Sequence, residues 1–175
     1  MPKIIDGVQV SILKEAKCQV FKNGYDGMTI RSVAQACGIA TGTIYNYFPS
    51  KEYLTASFVL NDWTALEDEF RFQCKSATKP MEAFRFIYMG IVKFVSDYQP
   101  LFRERNAVKS ASVTFRSRHS ELRERLADII GDVCMENAKR PSAFLPAFVA
   151  EALLAWSCEQ RGFEDIRAVL SQLFD

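Results

Sequence analysis

The sequence predicts an all-α fold in two parts, a three-helix head over residues 1–50 and a larger helical body over 51–175. Three observations carry this. Apolar residues recur every three to four positions almost throughout, the period of a helix with one buried stripe. No segment alternates apolar and polar residues as a half-buried strand does. Helix-start and helix-stop residues punctuate the chain at intervals that fit short helices first and longer ones later. Eight glycines and six prolines in 175 residues leave few breaks, and about nine helices are expected.

The first helix is expected over 6–23, with Val10, Leu13, Ala16, Lys17, Val20 and Phe21 on one face and a stop at Asn23-Gly24. Thr29 is placed to cap a short second helix through Val33 and Ala34 to Cys37, ended by Gly38. A third covers about 41–47 and breaks at Phe48-Pro49-Ser50. Ser50 is placed to cap a fourth from Lys51 to about Cys74. A fifth spans about 81–97 and stops before Pro100, with a short sixth over about 100–109. The seventh, about 116–138, carries the stripe Leu122, Leu126, Ile129, Ile130, Val133. The eighth, about 143–160, has two apolar faces: Phe144, Phe148, Ala152 and Ala155 on one, Leu145, Val149, Leu153 and Trp156 on the other. A ninth, after Gly162, carries Ile166, Val169, Leu170 and Leu173. No repeat or low-complexity segment interrupts this order.

Composition excludes more than it names. Apolar residues make up 49 % and charged residues 25 %, an ordinary soluble balance, and the net charge is +1. Residues 1–53 hold six basic and four acidic side chains, a mild excess that fits a backbone-binding module. The five cysteines, at 18, 37, 74, 134 and 158, show no CxxC spacing, so they read as reduced core thiols of a cytoplasmic protein. No signal peptide and no membrane-spanning run is expected. There is no GxSxG, HExxH, P-loop or dinucleotide fingerprint. His119 is the sole histidine. It reads as exposed and without function, so no catalytic residue, metal site or cofactor is expected. The run 103–125, with seven basic and three acidic residues, reads as a solvated or interdomain face, with an anionic-ligand or second nucleic-acid site as the alternative.

The stretch "ATGTIYNYFPSKEYL", residues 40–54, concentrates hydroxyls and aromatic rings where a core would not place them. Two short helices around a Gly turn make a helix-turn-helix unit. On a wheel of about 100° per residue, with Ile44 inward, Gly42 and Asn46 point outward, flanked by Thr43 and Tyr45. This face holds no carboxylate. It suits a major groove: Gly42 permits close approach, Asn46 reaches base edges, and Thr43 and Tyr45 donate to phosphates. Lys51 follows at the N-terminus of the fourth helix, a natural phosphate seat. The segment "YDGMTIRSVAQACGIATGTIYNYFPSKEYL", residues 25–54, resembles the DNA-binding signature of the TetR family of transcriptional regulators.

The resemblance is detailed over about the first 55 residues and loose over the rest. It implies a homodimer that binds a palindromic operator in double-stranded DNA and releases it when a small ligand enters the C-terminal body. By position it implies phosphate contacts at Thr29, Thr43, Tyr45, Tyr47 and Lys51, and base approach or reading at Arg31, Thr41, Gly42 and Asn46. Two positions depart from the family pattern. Ala40 stands where a capping serine is common, which leaves Thr41 to cap, and Thr41 stands where lysine or arginine is common. Aromatic residues at helical spacings are core by default. The family-derived alternative sets Trp63, Phe70, Phe84, Tyr88 and Phe94 around a cavity for an apolar or aromatic effector, with a polar handle among Glu82, Arg85, Lys93 and Asp97 on the fifth helix. The two faces of the eighth helix suggest a dimer interface through Phe148, Leu153, Trp156, Ile166 and Leu170. The fourth helix would join both parts as one rigid rod. Against this reading stand an enzyme, which no motif supports, and a helical interaction scaffold that binds no DNA.

Overall fold

The computed structural model describes residues 7–103, 105–159 and 161–174, and within them the side chains of all but 100, 102, 103, 105–120 and 158. The side chains of His119 and Cys158, and most of the basic run 103–125, therefore lie outside the described residues. Eight helices are described: α1 Val8–Gly27, α2 Ile30–Ala36, α3 Thr41–Tyr47, α4 Lys51–Ser76, α5 Pro80–Arg103, α6 Arg105–Asn137, α7 Leu145–Cys158 and α8 Phe163–Phe174. No helix among the described residues is long and apolar enough to cross a membrane.

The chain forms two compact units. One comprises Met1–Asp62 with Gln99–Phe115, the other Trp63–Tyr98 with Arg116–Asp175. The first unit therefore includes the N-terminal half of α4, beyond the loop at residue 50, because Leu54, Ala56, Phe58 and Val59 are buried there.

Local signals set the first unit. Gly24 breaks α1 with φ 78°, the left-handed region that favours glycine, and the chain turns there. The buried face of α1 is Ile12, Ala16 and Val20, whereas Val10 and Phe21, expected on the inward face, are 68 % and 49 % exposed. They lie almost opposite Ile12 on a helical wheel, so the true stripe is the i, i+4, i+8 row through Ile12. Thr29 caps α2: its Oγ1 accepts the Ser32 amide at 3.0 Å, while Ser32 Oγ accepts the Thr29 amide at 3.1 Å. Ser32 Oγ also donates to Gln19 Oε1 at 2.6 Å, which ties the start of α2 to α1. Gly38 makes the turn to α3 with φ 66°. Val33, Ala34, Ile44 and Phe48, each at most 2 % exposed, fill the space between the helices.

The second unit has one core. Phe70 on α4, Phe84, Ile87 and Ile91 on α5, Leu126 and Ile130 on α6, Val149 and Leu153 on α7, and Ile166 and Leu170 on α8 belong to it. Rings meet edge to face: Trp63 with Phe94 at 5.2 Å and Phe84 with Phe174 at 5.0 Å between centroids. Pro100 does not stop α5 as the sequence suggested. Its fixed φ is already helical and it forfeits one backbone bond, while Tyr98 and Leu101 on either side are buried and fix the chain there. Among the described residues, those of the expected sixth helix fall in α5 and α6, and the eight described helices agree with the expected count of about nine.

Gly90 is where α5 approaches α4. A Cβ there would sit 2.6 Å and 2.9 Å from the Phe70 ring and 3.3 Å from Leu66. Phe70 is fully buried and cannot swing away. Overpacking of this kind costs about 1–3 kcal/mol, against a helix-propensity gain of about 1 kcal/mol for Gly→Ala. Gly90→Ala should therefore lower the thermal midpoint, and a raised midpoint would show that the ring gives way.

Candidate nucleic-acid interface

The helix-turn-helix places its side chains by burial on one side and by vacancy on the other. Ile44 is the buried residue of α3. With Ile44 fixed inward, Gly42, Tyr45 and Asn46 are exposed, and Thr41, Thr43 and Tyr47 are half-buried at the flanks. An added Cβ at Gly42 would meet nothing within 4 Å, so this turn of α3 opens onto free space. On α2, Arg31 and Gln35 are exposed one turn apart. Among the described residues, the side chains of Arg31, Gln35 and Asn46 make no hydrogen bond or ion pair within the protein. Their donors and acceptors are free for another molecule. Residues 30–47 contain no carboxylate and a single cation, Arg31.

Two expectations change on inspection. Thr41 does not cap α3. Ala40 occupies the N-cap position with extended dihedrals, and no side chain bonds the first turn. Alanine has no oxygen to offer there, and the helix starts at Thr41 without a side-chain cap. Thr29, read for a phosphate contact, spends its oxygen on the α2 cap described above. Gln35 was missed, because an exposed glutamine on a short helix looks like any solvated residue until its lack of a partner is seen.

The base of this surface is clamped. Ser50 Oγ caps α4 by accepting the Tyr53 amide at 3.1 Å. Lys51 Nζ lies 4.2 Å from the centre of the Tyr25 ring, and the Tyr25 hydroxyl donates to Glu52 Oε1 at 3.2 Å. The free N–H of its own residue, then the Ser50 hydroxyl, hold the Glu52 carboxyl below the usual carboxylate range. Lys17 on α1 pairs with Asp62 on α4. Lys51 is thus presented from a rigid base at the start of α4 while half-buried.

In the second unit the residues expected around a cavity lie in the core. Trp63, Phe70, Phe84 and Tyr88 are at most 3 % exposed, with Phe94 half-buried against Trp63. Tyr88 is further fixed by its hydroxyl, which donates to the Arg161 carbonyl. The charged side chains of α5 do not enter this core. Glu82, Arg85, Lys93 and Asp97 all face solvent, with Lys93 and Asp97 paired there at 3.1 Å. The charged pair inside is Glu67 on α4 with Arg125 on α6. Glu67 is 2 % exposed and also accepts the Trp63 indole N–H. A polar cleft of about 360 Å³ lies elsewhere in the unit, lined by Arg71, Lys75, Asp128 and Asp132 among others. On α7 and α8, Leu153, Ile166 and Leu170 are at most 1 % exposed within the subunit, whereas Phe144, Phe148 and Val169 are 70 %, 44 % and 44 % exposed. Trp156 is half-buried. The four described cysteines 18, 37, 74 and 134 are free thiols, and no cluster among the described residues could hold a metal ion.

Residues 12–57 match the family described as bacterial regulatory proteins, tetR family. The HTH-type transcriptional regulator UidR of Escherichia coli (strain K12) is 28 % identical over 97 residues, which cover 55 % of this chain and 46 % of that protein. The HTH-type transcriptional repressor KstR of Rhodococcus jostii (strain RHA1) is 31 % identical over 72 residues, covering 41 % and 33 %. The chain thus spans less than half the length of these curated relatives. The fold is shared more widely. A TetR-family transcriptional regulator from Pectobacterium atrosepticum matches with a TM-score of 0.70 at 16 % identity, over 95 % of this chain and 93 % of that one. The fatty acid degradation regulator FadR from Bacillus halodurans matches at 0.61 and 18 %, over 90 % and 88 %. Residues 12–57 thus carry a helix-turn-helix segment that matches the tetR family of bacterial regulatory proteins, and the fold of the described chain resembles that of a solved TetR-family regulator.

Proposed function

We propose that this chain is a cytoplasmic, non-enzymatic transcriptional repressor that binds a palindromic operator in double-stranded DNA as a homodimer and is released by a small effector. One observation carries the reading: α2 and α3 present a carboxylate-free surface whose polar groups Arg31, Gln35 and Asn46 have no partner among the described residues. Gly42 would let the backbone approach the groove, with Arg31, Thr41 and Asn46 near base edges. Thr43, Tyr45, Tyr47 and Lys51 would meet phosphates on either side. The dimer would form through the exposed face of α7 and α8, with Phe144, Phe148, Trp156 and Val169 at the contact and Leu153, Ile166 and Leu170 supporting it from within. An isologous pairing of these faces would remove an apolar patch from water and match the symmetry of a palindrome. An apolar or aromatic effector would enter the second unit against Trp63, Phe70, Phe84, Tyr88 and Phe94, with the Glu67–Arg125 pair as its polar handle.

The test is titration of the full chain with duplex DNA at several salt concentrations. Affinity should fall steeply with salt, with two protomers per palindromic duplex by sedimentation. Lys51→Ala should weaken binding by the same factor on operator and unrelated duplex, and reduce the logarithmic salt slope by about 1 per bound head. Absence of any salt-dependent binding would leave the scaffold reading instead. A stable monomer at micromolar concentration would remove the dimer.

A further inference from the structure

The groups free on α2 and α3 are few enough to be matched against the bases one at a time, which deepens the DNA-binding reading and rests on it. In the major groove adenine shows an N6–H2 donor beside the N7 acceptor, guanine shows two acceptors, cytosine a donor, and thymine an acceptor beside its methyl group. A carboxamide, with one donor and one acceptor on a planar end, complements adenine with two bonds. Against guanine it makes one bond and sets its own oxygen against O6 or N7. Asn46 and Gln35 are such carboxamides, both exposed and both without a partner among the described residues.

Guanine needs two donors on one rigid end, which among these helices only Arg31 supplies, since residues 30–47 hold no lysine and no second arginine. Cytosine is read by a carboxylate accepting from N4, and this segment has none. Thr41, half-buried at the start of α3, adds a methyl group that can rest against the thymine methyl. We infer that each operator half-site is dominated by A·T pairs, read by Asn46 and Gln35 on adenine edges and Thr41 on a thymine methyl, with one G·C pair read by Arg31.

The inference is tested by enriching bound duplexes from a random pool with the full chain at fixed salt, followed by competition with single-base variants. The expected result is a symmetric site whose half is A·T-rich with one preferred guanine. Arg31→Ala should relax preference at that guanine by about tenfold to a hundredfold and leave the A·T positions selective, and Asn46→Ala should do the reverse. Both side chains are exposed and unbonded, so the variants should melt with the parent chain, and circular dichroism checks this. A sharply selected G·C-rich half-site would overturn the inference while leaving DNA binding intact. So would salt-dependent binding with no enriched sequence. A chain that retains no duplex at low salt would overturn the DNA-binding reading itself, and this inference with it.

Discussion

Arg125→Met should destabilise the second unit by about 3 kcal/mol near neutral pH, the low end of the cost of breaking a buried ion pair. The low end applies because Arg125 is 29 % exposed while Glu67 is 2 % exposed, so water reaches one partner but not the other. What remains is a buried carboxylate with the Trp63 indole N–H as its donor. Burial already raises the Glu67 carboxyl above its ordinary value of 4.5, although the Trp63 bond and the charges of Arg125 and Arg71 pull it down. Removal of Arg125 takes away a lowering influence, so the carboxyl rises further. A carboxyl raised in the folded state binds its proton more tightly there than in the unfolded chain. Its favourable contribution is therefore complete below about 4.5 and is lost as pH climbs through the folded value. The deficit of Arg125→Met against the parent chain should be small near pH 5 and largest at pH 7.5, read from urea melts at both. Glu67→Gln combined with Arg125→Met should recover most of it, because the amide oxygen still accepts the indole N–H. A deficit independent of pH, or one left by the double variant, would mean lost packing of the arginine stem rather than an orphaned charge.

Glu67 and Arg125 also mark what could not be read along the chain. They stand far apart in sequence on helices whose other faces are ordinary, and only the packing of α4 against α6 joins them. The head was more legible because its signals are local. Asn23-Gly24, Thr29, Gly38 and Ser50 each act within three or four residues, and each does in the structure what its position suggested. Where a local signal competed with packing, it lost: α5 runs through Pro100 to Arg103. Where it had no chemistry to act with, nothing replaced it, and α3 begins at Thr41 behind an alanine. In α7 the wheel gives two apolar faces without saying which turns inward. Val149 and Leu153 bury in the core cluster that also holds Ile166 and Leu170 of α8, and Phe144 and Phe148 stay exposed. Among candidate interface residues, the exposed ones were legible from an outward angle on the wheel. Their freedom from internal bonds was not, and that freedom separates Gln35 and Asn46 from ordinary surface amides.

Gly42→Glu should abolish operator binding, by at least a hundredfold or about 2.7 kcal/mol, and leave the protein as stable as before or more so. The two effects have opposite signs because the position is vacant in the free chain. Nothing lies within 4 Å of a Cβ built there, and Gly42 is helical, so the new side chain meets no clash and no strain. Replacing a helical glycine removes a propensity penalty of up to about 1 kcal/mol. A carboxylate in the first turn of α3, which has none, adds about 0.3–1 kcal/mol with the helix dipole. A gain of about 1 kcal/mol raises the midpoint of a chain this size by roughly 2–4 °C. In the proposed complex the same carboxylate would face the phosphates and fill the space through which the backbone would approach the bases. Gly42→Gln separates the two causes. It keeps the bulk without the charge, so the difference between Glu and Gln should shrink as salt rises, while the loss in Gln itself should not. If Gly42→Glu melts normally and still binds operator with parental affinity, α3 does not enter the groove, and the surface of α2 and α3 must be assigned to another partner.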